Sequence, residues 1–357
     1  MPRIISVGTG IPSFAISQQE TMELTKQLFS DSIKDLDRLL HVFHNGDIVK
    51  RHFVKSIDWY KEDHSFSEKN TAFIREAETL AIEAIQQCMN AADLKFAYNE
   101  IDAIFMVTTT GIATPSLDAR IMNQLPFSPH MKRVPIWGLG CAGGAAGLSR
   151  AYEYCLAYPG AKVLLVAVEL CSLTFQKDDI SKSNLIGASL FADGAAAVLI
   201  TGDEVHRMNC SQPLPKIIAT QSTLMPDSLN VMGWDIKDHG LYVVFSKSIP
   251  SIVEKWLEPN VQQFLTSNGI DKEDIAHFVA HPGGKKVIAA YEKALRLDPE
   301  KSKHSRTILN EYGNMSSVTV LFVLQKFLEE QINVGDYGLI TALGPGFSSE
   351  LLLLRWS

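Results

Sequence analysis

Hydrophobic positions along this chain fall into two alternating rhythms. Uninterrupted apolar runs at 101–108 (IDAIFMVT), 162–169 (KVLLVAVE), 195–200 (AAAVLI), 275–280 (IAHFVA) and 338–342 (GLITA) predict short buried strands. Between them, apolar residues recur every three to four positions. In 68–92 they fall at Phe73, Ala77, Leu80, Ala81, Ala84, Ile85 and Cys88, which predicts a helix with one buried face. The segments 144–157, 249–267, 285–297 and 317–330 carry the same spacing. The first residues, Met1 to Val7, read directly as a strand rather than as an export signal. Strands alternating with helices predict an α/β fold.

The two halves of the pattern are weakly alike. The strand ending at Thr108 has a counterpart ending at His281, and Cys141 has one at Asn314; both pairs are 173 residues apart (281 − 108 and 314 − 141). Cys141 and Asn314 each precede a helix and then a strand. A duplicated unit is the reading this offset suggests. The polar stretch Gly202–Pro215 is the expected join, giving halves 1–208 and 209–357.

Composition narrows the function. The chain has 357 residues, 46% hydrophobic and 20% charged, with a net charge of −7. That balance argues against a general nucleic-acid or anionic-membrane surface, while leaving room for a local basic patch. Five cysteines, an odd number with no C-x-x-C pair, argue against a disulfide framework or a zinc site and for a reducing, cytoplasmic setting. No apolar run reaches membrane-spanning length.

Three residues carry candidate chemistry. Cys141 lies in Gly138-Leu-Gly-Cys-Ala-Gly-Gly144, where a strand-to-helix turn would place the thiol at a helix N-terminus. His281 lies in His281-Pro-Gly-Gly284, at a strand end, and Asn314 follows Gly313 at a helix entrance. Taken singly, each has a plain structural reading: a buried inert thiol, a loop histidine, an N-cap. Taken together, they suit one task. An imidazole can pair with a thiolate, and imidazole and amide N–H groups can both donate to an oxyanion. A carboxylate in place of Asn314 would repel that charge. The set fits decarboxylation of a malonyl thioester to an enolate, followed by Claisen attack on an acyl group held by Cys141.

On these motifs, with Leu190-Phe-Ala-Asp-Gly-Ala-Ala-Ala197, Glu311-Tyr-Gly-Asn-Met-Ser-Ser317 and Gly344-Pro-Gly-Phe347, the chain resembles the type III polyketide synthases, the family of chalcone and stilbene synthases and bacterial alkylpyrone synthases. The resemblance runs nearly end to end. It implies a thiolase-like fold of two duplicated halves in five αβαβα layers, a homodimer, and an acyltransferase that uses coenzyme A thioesters and no other cofactor or metal. It assigns acyl transfer to Cys141, carbonyl and enolate stabilisation to His281 and Asn314, and a gatekeeper role to Phe191. Val243 stands where the family has a second gatekeeper Phe. Thr109, Thr110, Cys171 and Thr174, with the loop Gly344, Pro345, Gly346 and Phe347, fall at substrate-lining positions. Thr114 replaces a Met that crosses the dimer interface in plant members. Together with Met232-Gly-Trp-Asp235, these departures favour a long-chain fatty acyl-CoA starter, extended with malonyl-CoA and closed to alkylpyrones or alkylresorcinols. Arg38, Lys50, Arg51, Lys285 and Lys286, with Gly283, are the candidates for coenzyme A phosphates. The rival within the fold is a priming 3-ketoacyl synthase served by an acyl carrier protein. A papain-like cysteine protease also runs Cys, His, Asn, but the context of Cys141 speaks against it. A non-catalytic binding member of the fold would not need the intact trio.

Overall fold

The structure, a computed structural model, describes residues 1–91, 96–205 and 212–357. In chain order the strands are β1 (Arg3–Gly10), β2 (Phe14–Ser17), β3 (Lys50–Phe53), β4 (Ala103–Thr108), β5 (Lys132–Trp137), β6 (Lys162–Leu170) and β7 (Asp193–Thr201). They continue with β8 (Pro215–Leu224), β9 (Met232–Lys237), β10 (Gly240–Phe245), β11 (Ile275–Ala280), β12 (Tyr337–Gly344) and β13 (Ser348–Trp356). The expected join at 208/209 lies outside the described residues, as does the last residue of the helix predicted over 68–92.

Nine strands form one sheet in the order β11-β12-β13-β8-β1-β7-β6-β4-β5. It is two sheets that meet edge to edge, because β1 and β8 share a single residue pair, Arg3 with Lys216. Each half repeats the same pairing. β4 runs parallel to β6 as β11 does to β12, β6 antiparallel to β7 as β12 to β13, and β7 antiparallel to β1 as β13 to β8. This is a duplicated fold.

Strand alternation sorts the side chains into layers. Phe105, Val107, Val163 and Leu165 face the same core as Val279, Ile340 and Leu352; helices Gly143–Ala157 and Thr319–Glu329 fill it. Ile104, Met106, Leu164 and Val166 face the other way, onto helix Phe66–Ala91. In the second half Phe278, Leu339 and Leu353 face outward onto Val253, Leu257, Phe264 and Tyr291. Helix, sheet, paired helices, sheet and helices make the five layers of a thiolase-like fold. Among the described residues, no helix is long and apolar enough to cross a membrane.

The predicted helix over 249–267 is observed as one run with a π turn at Val253–Leu257. Pro259, which has no N–H to give a regular turn, follows that widening. The turn at Cys141 implied the strand β5 without its bounds, and the pattern gave no warning of β8 or β13, nor of the helices Gln18–Phe29, Leu36–His44, Lys182–Leu190 and Lys303–Tyr312. β5 (KRVPIW) holds Pro135, which only an edge strand accommodates.

Candidate active site

β5 ends at Trp137, and the chain turns through Gly138-Leu139 into a tight turn, Gly140–Ala142, that runs straight into helix Gly143–Ala157. Cys141 therefore stands at the head of that helix. Gly140 is required there: its φ is +46°, and a Cβ would lie 2.7 Å from Pro345 Cδ. The contact sets the Gly344–Pro345 turn against the cysteine turn.

The second half delivers the other two residues to the same place. Cys141 Sγ faces Asn314 Oδ1 at 4.0 Å. That oxygen accepts from Ser316 N–H at 2.8 Å, and Asn314 Nδ2 donates to Gly283 O at 3.4 Å. Gly283 N–H in turn donates to His281 O, and His281 N–H to Thr341 O. The His-Pro-Gly-Gly turn, the asparagine loop and the cysteine turn thus form one bonded unit. His281 is 2% exposed, and both its ring nitrogens lack a protein partner. Buried polar atoms of this kind are rare and point to a substrate.

Burial sets the resting charges. It pushes the Cys141 thiol up to about 11, against opposing hydrogen bonds from Ser316 and Asn314 and with a smaller push in the same direction from the charge on Glu169. It pulls the His281 imidazole down to about 3. A thiolate–imidazolium pair was the expectation from sequence. In the unliganded chain desolvation favours the neutral thiol and neutral imidazole instead.

Sequence reasoning missed Glu169. It ends the apolar strand β6 and is fully buried. Its Oε2 accepts from Thr109 N–H (3.0 Å) and Thr110 Oγ1 (2.8 Å), and its Oε1 from Ser317 Oγ (2.6 Å). Thr109 Oγ1 accepts from Gly140 N–H at 3.0 Å. One carboxyl thereby joins the cysteine turn to the segment after Asn314. Burial raises it to about 7, even with these donors favouring the charged form. The available signal was a lone acid at the end of KVLLVAVEL, where an unpaired charge is costly.

Cys171, Thr174, Phe191 and Val243 line one pocket. Phe191 is bridged through its backbone to Asn314, with Ala192 N–H donating to Asn314 O and Asn314 N–H to Leu190 O, both at 2.9 Å. Val243 leaves less room than a small side chain suggests. Trp234 stands opposite it on β9, and the Trp234 and Phe245 rings lie 5.9 and 5.6 Å from the Phe191 ring.

Thr109 and Thr110 do not line that pocket but are buried against Glu169, and two further expected site residues sit elsewhere. Phe347 is fully buried in the outer core against Trp256, not in the pocket, because its backbone turns at φ +37° and sends the ring outward. Arg51 is 1% exposed and donates from Nη1 to Phe191 O at 2.7 Å, so it lies deep in the pocket wall rather than at a surface that meets phosphates. Arg38, Lys50, Lys285 and Lys286 are exposed; Lys285 pairs with Asp47 at 2.8 Å and Arg38 with Asp35 at 3.9 Å.

Comparison with known proteins follows the same lines. Residues 2–204 match the N-terminal domain of the chalcone and stilbene synthases, and residues 216–356 the C-terminal domain. A putative chalcone synthase of Bacillus subtilis is 51% identical, over 100% of this chain and 99% of its own. A 1,3,6,8-tetrahydroxynaphthalene synthase of Streptomyces peucetius subsp. caesius is 37% identical, over 99% and 93%. The solved structure of 1,3,6,8-tetrahydroxynaphthalene synthase from Streptomyces coelicolor A3(2), a bacterial type III polyketide synthase, superposes with a TM-score of 0.92 at 30% identity, covering 99% of each chain.

Proposed function

From the premise that this chain belongs to the chalcone and stilbene synthase family and is a type III polyketide synthase, we propose that it loads a long-chain fatty acyl group onto Cys141, extends it with malonyl-CoA, and closes the product to an alkylpyrone or alkylresorcinol. Coenzyme A thioesters are its substrates, with no further cofactor. The observation that carries this reading is His281, buried beside the asparagine loop with both ring nitrogens free.

In the loading step Cys141 Sγ passes its proton to His281 and attacks the acyl-CoA carbonyl. The C–S bond to coenzyme A breaks, and the proton goes to the departing thiolate. Malonyl-CoA then loses carbon dioxide, and the electron pair of that bond becomes an enolate. Its oxygen is met by a His281 N–H and by Asn314 Nδ2, neutral donors in a site removed from water. The enolate carbon attacks the acyl carbon, the bond to Sγ breaks, and the β-ketoacyl-CoA leaves the cysteine as a thiolate, which takes up a proton from solvent.

A pocket with mostly apolar walls supports an aliphatic starter. The exposed cations Arg38, Lys50, Lys285 and Lys286 are proposed to meet the coenzyme A phosphates. A homodimer is supported by the free edge of β5, where Trp137 is 48% and Ile112 46% exposed, a pairing surface that would otherwise face water. Four free thiols among the described residues support a cytoplasmic setting. The test is product analysis after incubation with malonyl-CoA, a panel of acyl-CoAs and no carrier protein. Efficient use of coumaroyl-CoA, with acyl-CoAs of about ten carbons or more ignored, would overturn the aliphatic reading. A strict need for carrier protein would favour the priming synthase.

A further inference from the structure

The wall of the pocket beside Phe191 holds a cation whose donors the protein satisfies only in part. Arg51 spends Nη1 on Phe191 O, but its Nε and Nη2, both buried, have no partner. A guanidinium carries five donors in a fixed fork, and leaving the three on these two nitrogens dry is costly. The side chain is packed within the fold and 1% exposed. Its Cγ and Cδ lie 2.7 and 2.8 Å from where a Cβ on Gly313 would be, and its guanidinium lies 5.2 Å from the Phe53 ring centroid. Arg51 therefore lies against the loop that carries Asn314, in the wall of the pocket that Cys171, Phe191 and Val243 also line.

The nearest acid does not answer these donors. Asp193 gives both oxygens to Val54 N–H, Ser172 N–H and Ser172 Oγ. It still offsets the charge, so the pair is close to neutral. Burial lowers Arg51 to about 9 and raises Asp193 to about 6, and both stay ionised at neutral pH. An added carboxylate would be an uncompensated buried charge. A carbonyl oxygen supplies two lone pairs at no such cost.

We propose that Arg51 is a specificity-determining residue whose Nε and Nη2 receive the β-keto oxygen of an oxoacyl chain on Cys141. This rests on the function proposed above and deepens it. A saturated starter has no oxygen to offer there, whereas the first condensation product does. Arg51 thus favours chains that have been extended once over chains that have not.

The test compares loading of Cys141 by dodecanoyl-CoA, its β-oxo counterpart and dodecanedioyl-CoA, read by intact mass at limiting thioester. The β-oxo chain should load about tenfold or more faster than dodecanoyl, the margin of a charge-assisted hydrogen bond. In Arg51→Met that ratio should fall to about one, whereas a merely structural role would slow both and leave the ratio unchanged. A ratio near one in the natural enzyme overturns the inference without any variant, which covers the case in which Arg51→Met does not fold. Dodecanedioyl-CoA loading fastest would overturn the choice of a neutral oxygen. If none of the thioesters acylates Cys141, the proposed function itself fails, an outcome distinct from equal loading of all three.

Discussion

Glu169→Gln tests whether the carboxyl that joins the two halves is held at the cost of stability. Glutamine keeps the network: its oxygen can accept from Thr109 and Thr110, and its amide can donate to a reoriented Ser317 hydroxyl. What it removes is the ionisable proton. Burial raises Glu169 from an ordinary 4.5 to about 7 in the folded chain. The folded state therefore holds a proton over a range where the unfolded chain has lost it. That stabilising contribution is complete below about 4.5 and is lost as the pH rises through about 7. The gap corresponds to about 3 kcal/mol in all, of which about 2.5 kcal/mol falls between pH 5 and pH 8. At roughly 2.1 cal/mol/K per residue, 357 residues unfold with an entropy near 0.75 kcal/mol/K. The melting temperature of the natural protein minus that of Glu169→Gln should then fall by about 3 °C from pH 5 to pH 8. Melting at a fixed protein concentration across that range measures it. A difference that stays level, or that grows with pH, would show that Glu169 is ionised at no cost in the fold, and the desolvation argument would be wrong.

Other substitutions reach other parts of the site. Asn314→Asp puts a negative charge where the enolate forms, so malonyl-CoA decarboxylation should drop about 100-fold or more with little change in melting temperature; full activity would remove Asn314 from the mechanism. Gly313→Ala forces a side chain into φ +72°, ψ −162° and against Arg51, which should cost about 1–3 kcal/mol and lower the melting temperature by about 1–4 °C. Trp234→Ala opens the space beside Phe191 and opposite Val243, and should shift kcat/KM toward bulkier starters by about tenfold in a competition assay; an unchanged preference would place the limiting contact elsewhere.

Much of the fold was legible because its inner strands are buried on both faces and read as unbroken apolar runs. The 173-residue spacing of Cys141 and Asn314 likewise marked a duplication that the repeated strand pairing displays. The extent of β5 and the polar helix Lys303–Tyr312 were not legible, since an edge strand and an amphipathic surface helix leave weak patterns. At the site, Cys141, His281 and Asn314 stood out because glycine-rich turns surround them. Glu169 did not, because its importance lies in partners 59 to 148 residues away. Arg51 was misread because a basic residue in a polar stretch (Val49-Lys-Arg-His52) looks solvated, and only the third dimension buries it under Gly313. Phe347 was misplaced for a similar reason: its motif fixes the turn, but the turn's positive φ decides which side the ring takes.

The account turns on Cys141 carrying the chain. Incubation with an acyl-CoA in the absence of malonyl-CoA, followed by digestion and mass mapping, should find the acyl group on the peptide containing Cys141, and no adduct in Cys141→Ala. An acyl group on Cys171 instead, or product formation that survives Cys141→Ala, would contradict it.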